Sequence, residues 1–350
     1  MKMASNPSFN SDTGGLEVAT AYASQASGKT VLVTGVSSGT LGEAIVKSFA
    51  KGGASTIIIT GRSDNSLEET VKSLSTEYPS TKFRPLKLQL DSLKLVNAAA
   101  QELLDDPSIP HIDITIACAG VHNFSTTRLL TTDGLEWHFG INHIANFVFI
   151  NKLLPKIRAA ATKSSTRGST RIVVVGSETG NLSPFRFSDY QFDGKPVPAH
   201  ERPSWDILKV FGVQETEAYN HFVAYAQSKT ANVLFAVHFN KMLAAENQDI
   251  RVFTIHPGLV NSKFAAQAFA EEFTAEQKAV FARIGLGRFK DVDQGAATAV
   301  VAALDPGLGT EEGIYLTDCQ VGGALEWQLD GGLARKLWDL TERIVGEKAG

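Results

Sequence analysis

The stretch TVLVTGVSSGTLG, residues Thr30–Gly42, is the segment that best indicates the fold. Its first five residues are of the type found in a buried strand, and a loop with three glycines follows. An apolar-periodic helical pattern then runs through Lys51. A strand without polar alternation, followed by a glycine-rich turn and a helix, is typical of a parallel sheet that helices cover on both faces.

The same alternation continues along the chain. Helical patterns separate the further strand candidates, which are Ser55–Thr60, Phe83–Leu90, Ile112–Ala117, Arg171–Val175, Arg251–Ile255 and Gly313–Leu316. We therefore predict an α/β fold, a Rossmann-like doubly wound parallel sheet of about seven strands, in a single domain at residues 29–350.

Residues 1–28 are predicted to form an N-terminal arm with a short helix. We expect residues 1–10 to be disordered, because they are polar and small. The helix is expected to end near Ala26, and the residues that could cap its start are Ser11, Asp12 and Thr13.

The composition is ordinary for a globular protein with a sizeable core. Of 350 residues, 43% are hydrophobic and 20% are charged, and the formal net charge of −4 gives no reason to expect a nucleic-acid partner. We find neither an apolar run long enough to span a bilayer nor an N-terminal segment of signal-peptide type. Two cysteines, Cys118 and Cys319, are too few for a disulfide framework, so a reducing, cytoplasmic location is expected.

The glycine-rich loop predicts a site for the pyrophosphate of a dinucleotide. Glycines permit a tight turn and a close approach of the backbone. The helix that follows offers free N–H groups and the positive end of its dipole. The loop residues predicted to contact the cofactor are Gly35, Ser37, Ser38, Gly39, Leu41 and Gly42.

The end of the second strand favours NADP(H) over NAD(H). Arg62 lies 20 residues after Gly42, about where an NAD-binding fold carries an acid for the ribose 2′-hydroxyl. An arginine instead suits a 2′-phosphate, with Ser38 as a second donor. Asp64 is close enough in sequence to keep NAD(H) as an alternative.

A second motif is the pair Tyr225 and Lys229. Four residues apart in a helical pattern, they share one helix face. A nearby cation favours the phenolate, so we expect Lys229 to lower the pKa of Tyr225. A tyrosine tuned in this way exchanges a proton with a carbonyl oxygen.

With these motifs, the chain resembles the short-chain dehydrogenases/reductases, and in particular the retinol-dehydrogenase-like branch. That branch includes the WW-domain oxidoreductases and the protochlorophyllide reductases. The resemblance covers Lys29 to about Gly346. The matching elements, in family order, are Thr34–Gly42, Asp91, Ala117–Gly120, Asn142, Ser177, Tyr225 with Lys229, His256–Ser262 and the tail Gly313–Cys319.

The resemblance implies a role for each matched residue. Tyr225 would donate the proton, and Ser177 would hydrogen-bond the same substrate oxygen. Lys229 would tune Tyr225 and hold the nicotinamide ribose, while Asn142 would anchor a water that relays protons. Asp91 would contact the adenine. The other residues expected to line the cofactor are Ala119, Gly120, Pro257, Gly258, Val260 and Ser262.

The chain departs from the family pattern in two small ways. Its glycine loop is one residue longer than usual, which should keep cofactor binding. Cys118 replaces an asparagine and so removes a hydrogen bond that steadies the central strand; we expect it to be a small buried residue rather than a nucleophile. His138 and His143 are expected to be packing or surface residues.

The largest departure is an insert at about residues 182–220. It makes the interval from Ser177 to Tyr225 48 residues long. Its aromatic residues could wall a pocket or could form a satellite core; they are Phe185, Phe187, Tyr190, Phe192, Trp205 and Phe211. Because comparable inserts in some relatives cover a dimerisation face, both a monomer and a homodimer are open.

A substrate lid is expected at about residues 261–286, where relatives carry one. The segment contains Phe264, Phe269, Phe273 and Phe281, so it is apolar enough to cover a ligand. The alternative is a pair of amphipathic helices packed on the domain.

The sequence therefore predicts an NADP(H)-dependent oxidoreductase. Its expected partner is a small molecule, a ketone, aldehyde or matching alcohol that is bulky and apolar or aromatic, and reduction is the expected direction. Two alternatives are reduction of an activated C=C bond on the same scaffold and a sensor that binds NADP(H) without turnover. Neither a nucleic acid nor a membrane span is expected.

Overall fold

The computed structural model describes residues 4–216, 219–262, 274, 279, 289–309 and 314–349. Numbered along the chain, its strands are β1 (Thr30–Val33), β2 (Thr56–Gly61), β3 (Lys82–Lys87), β4 (Ile114–Ala117), β5 (Thr170–Val175), β6 (Ile250–His256), β7 (Leu259–Val260), β8 (Phe289–Lys290), β9 (Tyr315–Thr317) and β10 (Gln320–Val321). The strands predicted from the sequence are therefore found, with small shifts at their ends; Gly313 of the last one lies outside the described residues.

One sheet contains eight strands, in the order β3-β2-β1-β4-β5-β6-β9-β10. The first seven in that order are parallel, and β10 pairs antiparallel with β9. The doubly wound α/β fold is thus confirmed, but the predicted number of about seven strands is too low. The additional strand is only two residues long, too short to show any periodicity. A separate parallel pair joins β7 to β8.

Helices cover both faces of the sheet. They are α1 (Gly15–Ala21), α2 (Ala23–Ala26), α3 (Leu41–Lys51), α4 (Asp64–Glu77), α5 (Leu93–Asp105), α6 (Trp137–Phe139), α7 (Asn146–Lys163), α8 (Trp205–Val210), α9 (His221–Ala245), α10 (Val292–Leu304) and α11 (Gly331–Ala349). A π-helical turn, Gly140–Ala145, joins α6 to α7. Among the described residues, no helix combines the length and the apolarity needed to cross a membrane.

Two apolar cores result, one on each face of the sheet. Helices α1, α3, α4 and α10 pack on one face, around Phe49, Phe253 and Val300. Helices α5, α7, α9 and α11 pack on the other, around Phe149, Phe239 and Ile157. Because helices cover both faces of the sheet, β1, β4 and β5 are buried along their whole length. This explains why these strands are largely apolar without polar alternation.

The insert packs mainly on itself and on the second core. Phe192 belongs to a satellite core with Leu208 and Val213, and Trp205 and Phe211 pack against it. Phe185 instead packs on the main core through Phe139, with ring centroids 5.1 Å apart. The insert thereby supports the first turn of α9, since Val223 and Ala224 also belong to the satellite core.

Residues 4–10 of the N-terminal arm pack on the domain, contrary to the disorder predicted for this part of residues 1–10. The Ala4 N–H donates to Gln320 Oε1 (3.1 Å), and the Ser5 N–H donates to Asp305 Oδ2 (2.6 Å). Phe9 is 3% exposed. Polar side chains from the far end of the chain thus supply the hydrogen bonds that the arm cannot make within itself.

The predicted side-chain cap of the first helix is also wrong. The N-cap of α1 is Gly14, which has no side chain to cap the helix. Asp293, at the start of α10, instead accepts from the Leu16 N–H at 3.0 Å. A tertiary contact therefore replaces the local cap that the sequence suggests.

The parallel strands end at one edge of the sheet, and the predicted site residues follow those ends. Along the edge, Ser177 follows β5, Gly120 follows β4 and Gly35 follows β1. In open α/β sheets ligands bind at this edge, where neighbouring strands connect in opposite directions.

Candidate active site

Tyr225 and Ser177 form the centre of the candidate site. Ser177 is the N-cap of a short 3₁₀ helix, Glu178–Leu182, and its Oγ accepts from the Thr179 N–H at 3.2 Å. Tyr225 lies one turn into α9, is 8% exposed, and has the Ser177 side chain close enough to influence its phenol. A buried phenol and a hydroxyl thus meet at the carboxyl end of β5.

The pKa of Tyr225 is higher than expected from the sequence. Burial raises the pKa of this phenol, and the hydrogen bond with Ser177 lowers it by less. The expectation that Lys229 lowers the pKa of Tyr225 below its ordinary value is therefore not met. Tyr225 is held as a neutral phenol, which is the form that donates a proton.

Lys229 lies on the same face of α9 and is also buried. Its Nζ donates to the Val175 carbonyl at 3.0 Å and lies 5.5 Å from the centroid of the Tyr225 ring. Burial lowers the pKa of Lys229 to about 8. The ammonium therefore sits between the end of β5 and the phenol, in the position that the spacing of the two residues predicts.

Asn142 connects the site to the loop after β4. It lies in the π-helical turn, a helix form that is common at functional sites. Its Oδ1 accepts from the Val121 N–H at 2.7 Å, and its Nδ2 donates to the Val121 carbonyl (3.0 Å) and to Ser228 Oγ (3.0 Å). The side chain thus fastens this loop to α9; the relay water assigned to Asn142 stays a prediction.

The glycine loop packs as closely as a dinucleotide fold requires. Gly35 has φ +75°, and a Cβ atom placed there would lie 2.8 Å from Ala119 Cα. A Cβ atom on Gly42 would lie 2.4 Å from the Gly35 carbonyl oxygen. Ala119 is held in place because its N–H donates to Thr34 Oγ1 at 2.9 Å. Only glycine allows strand, loop and helix to approach this closely.

The first turn of α3 already attracts an anion. Thr40 caps the helix, and the Gly39 N–H donates to Glu43 Oε2 at 2.7 Å. A carboxylate thus occupies the position where N–H groups and the helix dipole favour negative charge. Ser37 is partly exposed and Ser38 is exposed beside it. These residues fit a pyrophosphate, which would replace the Glu43 carboxylate on the loop.

Two charged residues, Arg62 and Asp64, follow the end of β2. Arg62 is exposed, and within the described part of the chain no carboxylate pairs with it. Asp64, the acid that would suit a 2′-hydroxyl, pairs with Lys87 at 2.6 Å. Asp91 lies beyond β3, partly exposed, and its carbonyl accepts from the Thr132 N–H at 3.0 Å.

The loop after β6 approaches the glycine loop from the other side. Val260 packs against Gly295, where a Cβ atom would lie 2.5 Å from Val260 Cγ2 and 3.3 Å from Leu41 Cδ1. Gly258 has φ +91° and leaves room for Lys290, whose Nζ pairs with Asp318 at 2.6 Å. Pro257 and Ser262, at the two ends of this loop, are partly exposed. The structure thus brings together the predicted residues of the two loops.

The predicted lid lies almost entirely outside the described residues. Of its range, Asn261, Ser262, Thr274 and Ala279 are described. The ends of the segment are joined, since β7 pairs with β8 and the Asn261 N–H donates to the Lys290 carbonyl at 2.8 Å.

Two histidines contact the Tyr225 ring and a third lies beside one of them, and none of the three is predicted from the sequence to belong to the site. His122 stacks on the Tyr225 ring, with centroids 4.1 Å apart and planes 11° apart. His138 meets the ring edge-on at 5.9 Å, and His221 lies 5.6 Å from His122. The sequence contains a signal for His221, which is four residues before Tyr225 and so shares its helix face. No local pattern identifies His122.

His138 is buried, as expected for a packing residue, but it packs against Tyr225 and so belongs to the site. It is 0% exposed, its Nδ1 bonds Glu136 Oε1 at 2.9 Å, and its Nε2 accepts from the Asn123 N–H at 3.0 Å. His143, by contrast, is a packing residue, stacked on Phe139 and bonded to Thr341 at 3.0 Å.

A second buried polar cluster lies behind Ser177. Burial raises the pKa of Glu178 to about 7, and the nearby Thr317 side chain lowers it by less. The Glu178 N–H donates to His256 Nδ1 at 3.3 Å. Glu178 Oε2, His256 Nε2 and the Tyr315 hydroxyl have no hydrogen-bond partner among the described residues. Such unpaired buried groups cost folding free energy and are frequent at functional sites.

Cys118 does not act as a nucleophile at this site. Burial raises the pKa of its thiol to about 12, and the charge of Lys229 lowers it by less. The thiol thus stays protonated near neutral pH, although Cys118 is partly exposed rather than buried as the sequence suggests.

Known proteins with this sequence pattern are short-chain dehydrogenases. The family model described as short chain dehydrogenase matches residues 29–191. The chain is 35% identical to the oxidoreductase fscI of Fusarium equiseti over 71% of this chain and 94% of that protein. It is 29% identical to human retinol dehydrogenase 14, over 91% of this chain and 87% of that protein.

A solved structure with a similar fold is the Pseudomonas aeruginosa RhlG/NADP active-site complex. The TM-score is 0.56 at 23% identity, over 88% of this chain and 97% of that chain. This likeness concerns the fold, whereas the family and its branch follow from the sequence matches. The chain therefore belongs to the short-chain dehydrogenase/reductase superfamily of nicotinamide-dependent oxidoreductases, in its retinol-dehydrogenase-like branch.

Proposed function

We propose that the protein is an NADP(H)-dependent reductase of ketones or aldehydes, with Tyr225 as the proton donor. The observation that supports this most directly is the buried Tyr225 phenol, close to the Ser177 side chain and with Lys229 Nζ 5.5 Å from its ring. This group lies beside a glycine loop that fits a dinucleotide phosphate. A proton donor next to a cofactor site is what carbonyl reduction requires.

The bound nicotinamide supplies the hydride. As negative charge develops on the substrate oxygen, Tyr225 donates its proton to that oxygen. Ser177 then hydrogen-bonds the same oxygen and holds the carbonyl in line. Lys229 carries a positive charge beside the ring and so stabilises the phenolate that the transfer leaves behind. Burial keeps Tyr225 protonated before the reaction, which favours the direction of reduction.

Two observations support NADP(H) rather than NAD(H), and a third concerns the cellular location. Arg62 stands at the end of β2, while Asp64 is paired with Lys87. Several proteins of similar fold have been solved with NADP or NADPH. Cys118 and Cys319 are both free thiols, which suits a reducing, cytoplasmic location.

A bulky, largely apolar substrate belongs to the same proposal. Phe124 and Phe222 are partly exposed and lie 4.1 and 5.7 Å from the His122 ring that covers Tyr225. Aromatic walls of this kind suit ring-containing ligands.

The test is a binding and turnover experiment. We expect NADPH to quench tryptophan fluorescence at lower concentrations than NADH, and a panel of aryl and alkyl ketones and aldehydes to be reduced with NADPH. Ser177→Ala should bind NADPH normally and lower kcat by about 10²-fold or more. Tight NADPH binding without turnover of any carbonyl compound would refute the proposal, as would a Ser177→Ala variant with full activity.

A further inference from the structure

His122 covers one face of the ring of Tyr225. The two rings are nearly parallel, with centroids 4.1 Å apart. Phe124 packs on His122 at 4.1 Å, and Phe222 meets it edge-on at 5.7 Å. His122, Phe124 and Phe222 are all partly exposed, so a ligand at the Tyr225 hydroxyl can reach them.

The backbone on both sides of His122 is fixed by buried side chains. Val121 exchanges two hydrogen bonds with the Asn142 amide, at 2.7 and 3.0 Å. The Asn123 N–H donates to His138 Nε2 at 3.0 Å, and His138 Nδ1 in turn bonds Glu136. Because His138 Nε2 accepts a hydrogen bond, its proton must be on Nδ1. His122 is thus held in place before any ligand binds, which is how binding groups are preorganised.

His221 pairs with His122 and leaves one nitrogen of each ring available. His221 Nδ1 lies 3.4 Å from His122 Nε2, so one of them can donate to the other. Over the ranges that the structure describes, His122 Nδ1 and His221 Nε2 have no protein partner. Both residues are partly exposed. Two imidazole nitrogens therefore remain for a ligand on this side of Tyr225.

The charges around His122 decide what kind of ligand group it can bind. Burial lowers the pKa of His122 to about 2, and His138, His221 and Lys229 lower it further through like charge. Burial lowers the pKa of His221 to about 4. Both rings are neutral at physiological pH, and a neutral imidazole offers one donor and one acceptor. Such a pair suits an uncharged hydroxyl or carbonyl oxygen better than a carboxylate.

We propose that His122 and His221 bind a second, uncharged oxygen of the substrate, a hydroxyl or carbonyl group close to the carbonyl that is reduced. The substrate class is therefore α- or β-oxygenated ketones with an aromatic or bulky apolar part. This inference rests on the proposed function, since it concerns the substrate of the same site. His122 and His221 act as specificity residues, while Tyr225 and Ser177 retain their roles in proton transfer.

The test compares matched ketones that differ by one hydroxyl. The pairs are benzoin with deoxybenzoin and 2-hydroxyacetophenone with acetophenone, each reduced with NADPH. The measured quantity is the ratio of kcat/KM for the hydroxylated ketone to kcat/KM for its partner without the hydroxyl. This ratio is compared between the wild type and His122→Phe, so that the intrinsic reactivity of the ketones cancels. Because phenylalanine keeps the ring on Tyr225, we expect the ratio to fall about tenfold in His122→Phe, mainly through KM of the hydroxylated ketone.

His221→Phe is the second variant and should change the ratio in the same direction. His200→Phe, whose side chain is 77% exposed in the insert, is the matched control and should leave the ratio unchanged. An equal loss for both members of a pair would overturn the inference, as would an unchanged ratio in both variants. If the wild type binds NADPH and turns over neither pair, the inference also fails, whereas the proposed function fails only if the wider carbonyl panel is not reduced either.

Discussion

The two halves of the crevice at the sheet edge are built in different ways. The cofactor half, residues 34–42, 61–64 and 257–262, is shaped by backbone and glycine. Its tightest contacts are those that a Cβ atom at Gly35 or Gly42 would make, 2.8 and 2.4 Å from backbone atoms. The substrate half, residues 121–124, 136–142 and 221–229, is shaped by side chains. Its contacts join residues far apart in the sequence, such as His122 with Tyr225 and with His221.

This difference determines how each half responds to substitution. In the cofactor half a methyl group on Gly35 or Gly42 is too large, because backbone atoms of Ala119 and Gly35 already lie in contact there. In the substrate half, replacing a histidine or tyrosine with phenylalanine keeps the shape of the ring. Such a replacement removes only the hydrogen bonds and charge of the side chain. Tyr225 lies where the two halves meet and is the proposed proton donor.

The largest expected effect is at this junction. Tyr225→Phe should lower kcat by about 10³-fold, because it removes the proton donor. NADPH binding should stay within about threefold of the wild type. Stopped-flow hydride transfer and fluorescence titration measure the two quantities. Tyr78→Phe, a partly exposed tyrosine at the end of α4, is the control and should keep full activity; equal activity of both variants would remove Tyr225 from the mechanism.

A glycine pair separates backbone strain from close packing in the cofactor half. Gly35 (φ +75°) and Gly212 (φ +74°) have the same conformation, but a Cβ atom on Gly212 would have no neighbour within 4 Å. Both alanine variants should lose about 1–2 kcal/mol of unfolding free energy through conformation alone. Only Gly35→Ala should also weaken NADPH binding, by about tenfold or more, because its methyl group displaces Ala119.

Urea unfolding and NADPH titration measure these two effects separately. If Gly212→Ala weakened NADPH binding as much as Gly35→Ala, the close contact with Ala119 would not be the cause. The cofactor half would then be less dependent on backbone packing than the comparison implies.

A substitution of Arg62 tests the selectivity proposed for the cofactor half. Arg62→Glu should raise KM for NADPH by about 10–100-fold, because it replaces a phosphate ligand with a like charge. KM for NADH should change by about threefold or less. Glu68→Gln, an exposed change on α4, is the control. A parallel rise of both KM values would mean that Arg62 does not contact the 2′-phosphate.

The smallest effect concerns stability and pH behind Ser177. Burial raises the pKa of Glu178 to about 7, above the ordinary value of 4.5. The folded protein thus binds a proton that the unfolded chain loses, so Glu178 reduces stability as pH rises from about 4.5 to 7. Glu178→Gln should therefore raise Tm by a few degrees at about pH 8 and change it little at about pH 5. Thermal melts at the two pH values check this, and an equal shift at both would contradict it.

The sequence predicts the cofactor half better than the substrate half, and the physical reason is locality. Gly35, Gly39 and Gly42 lie within eight residues and reveal a loop that only a tight turn explains. His122 and His138 contact Tyr225 only through tertiary packing, so no local sequence pattern predicts these contacts. The sign of the Tyr225 pKa shift is missed for the same reason, since burial outweighs a neighbouring cation.

The fold itself is largely predicted, apart from details that depend on contacts with distant parts of the chain. The sequence predicts that β3 continues to Leu90, but it ends at Lys87, opposite the last residue of β2, Gly61. Leu88 and Leu90 are apolar and buried without being part of the strand, because no neighbouring strand extends that far. The order of residues 4–10 is missed because Asp305 and Gln320, which hold them, come from the other end of the chain.

The N-terminal arm also has a consequence for the timing of synthesis. Ser5 docks on Asp305, 300 residues later in the chain. At about 5–20 residues per second, a ribosome needs roughly 15–60 s to make that interval. During this time the arm has nowhere to bind, and the helix that carries Asp293 and Asp305 at its ends has not yet emerged. The core on this face of the sheet therefore cannot be completed until α10 has been made, and the arm reaches its native position well after its own synthesis.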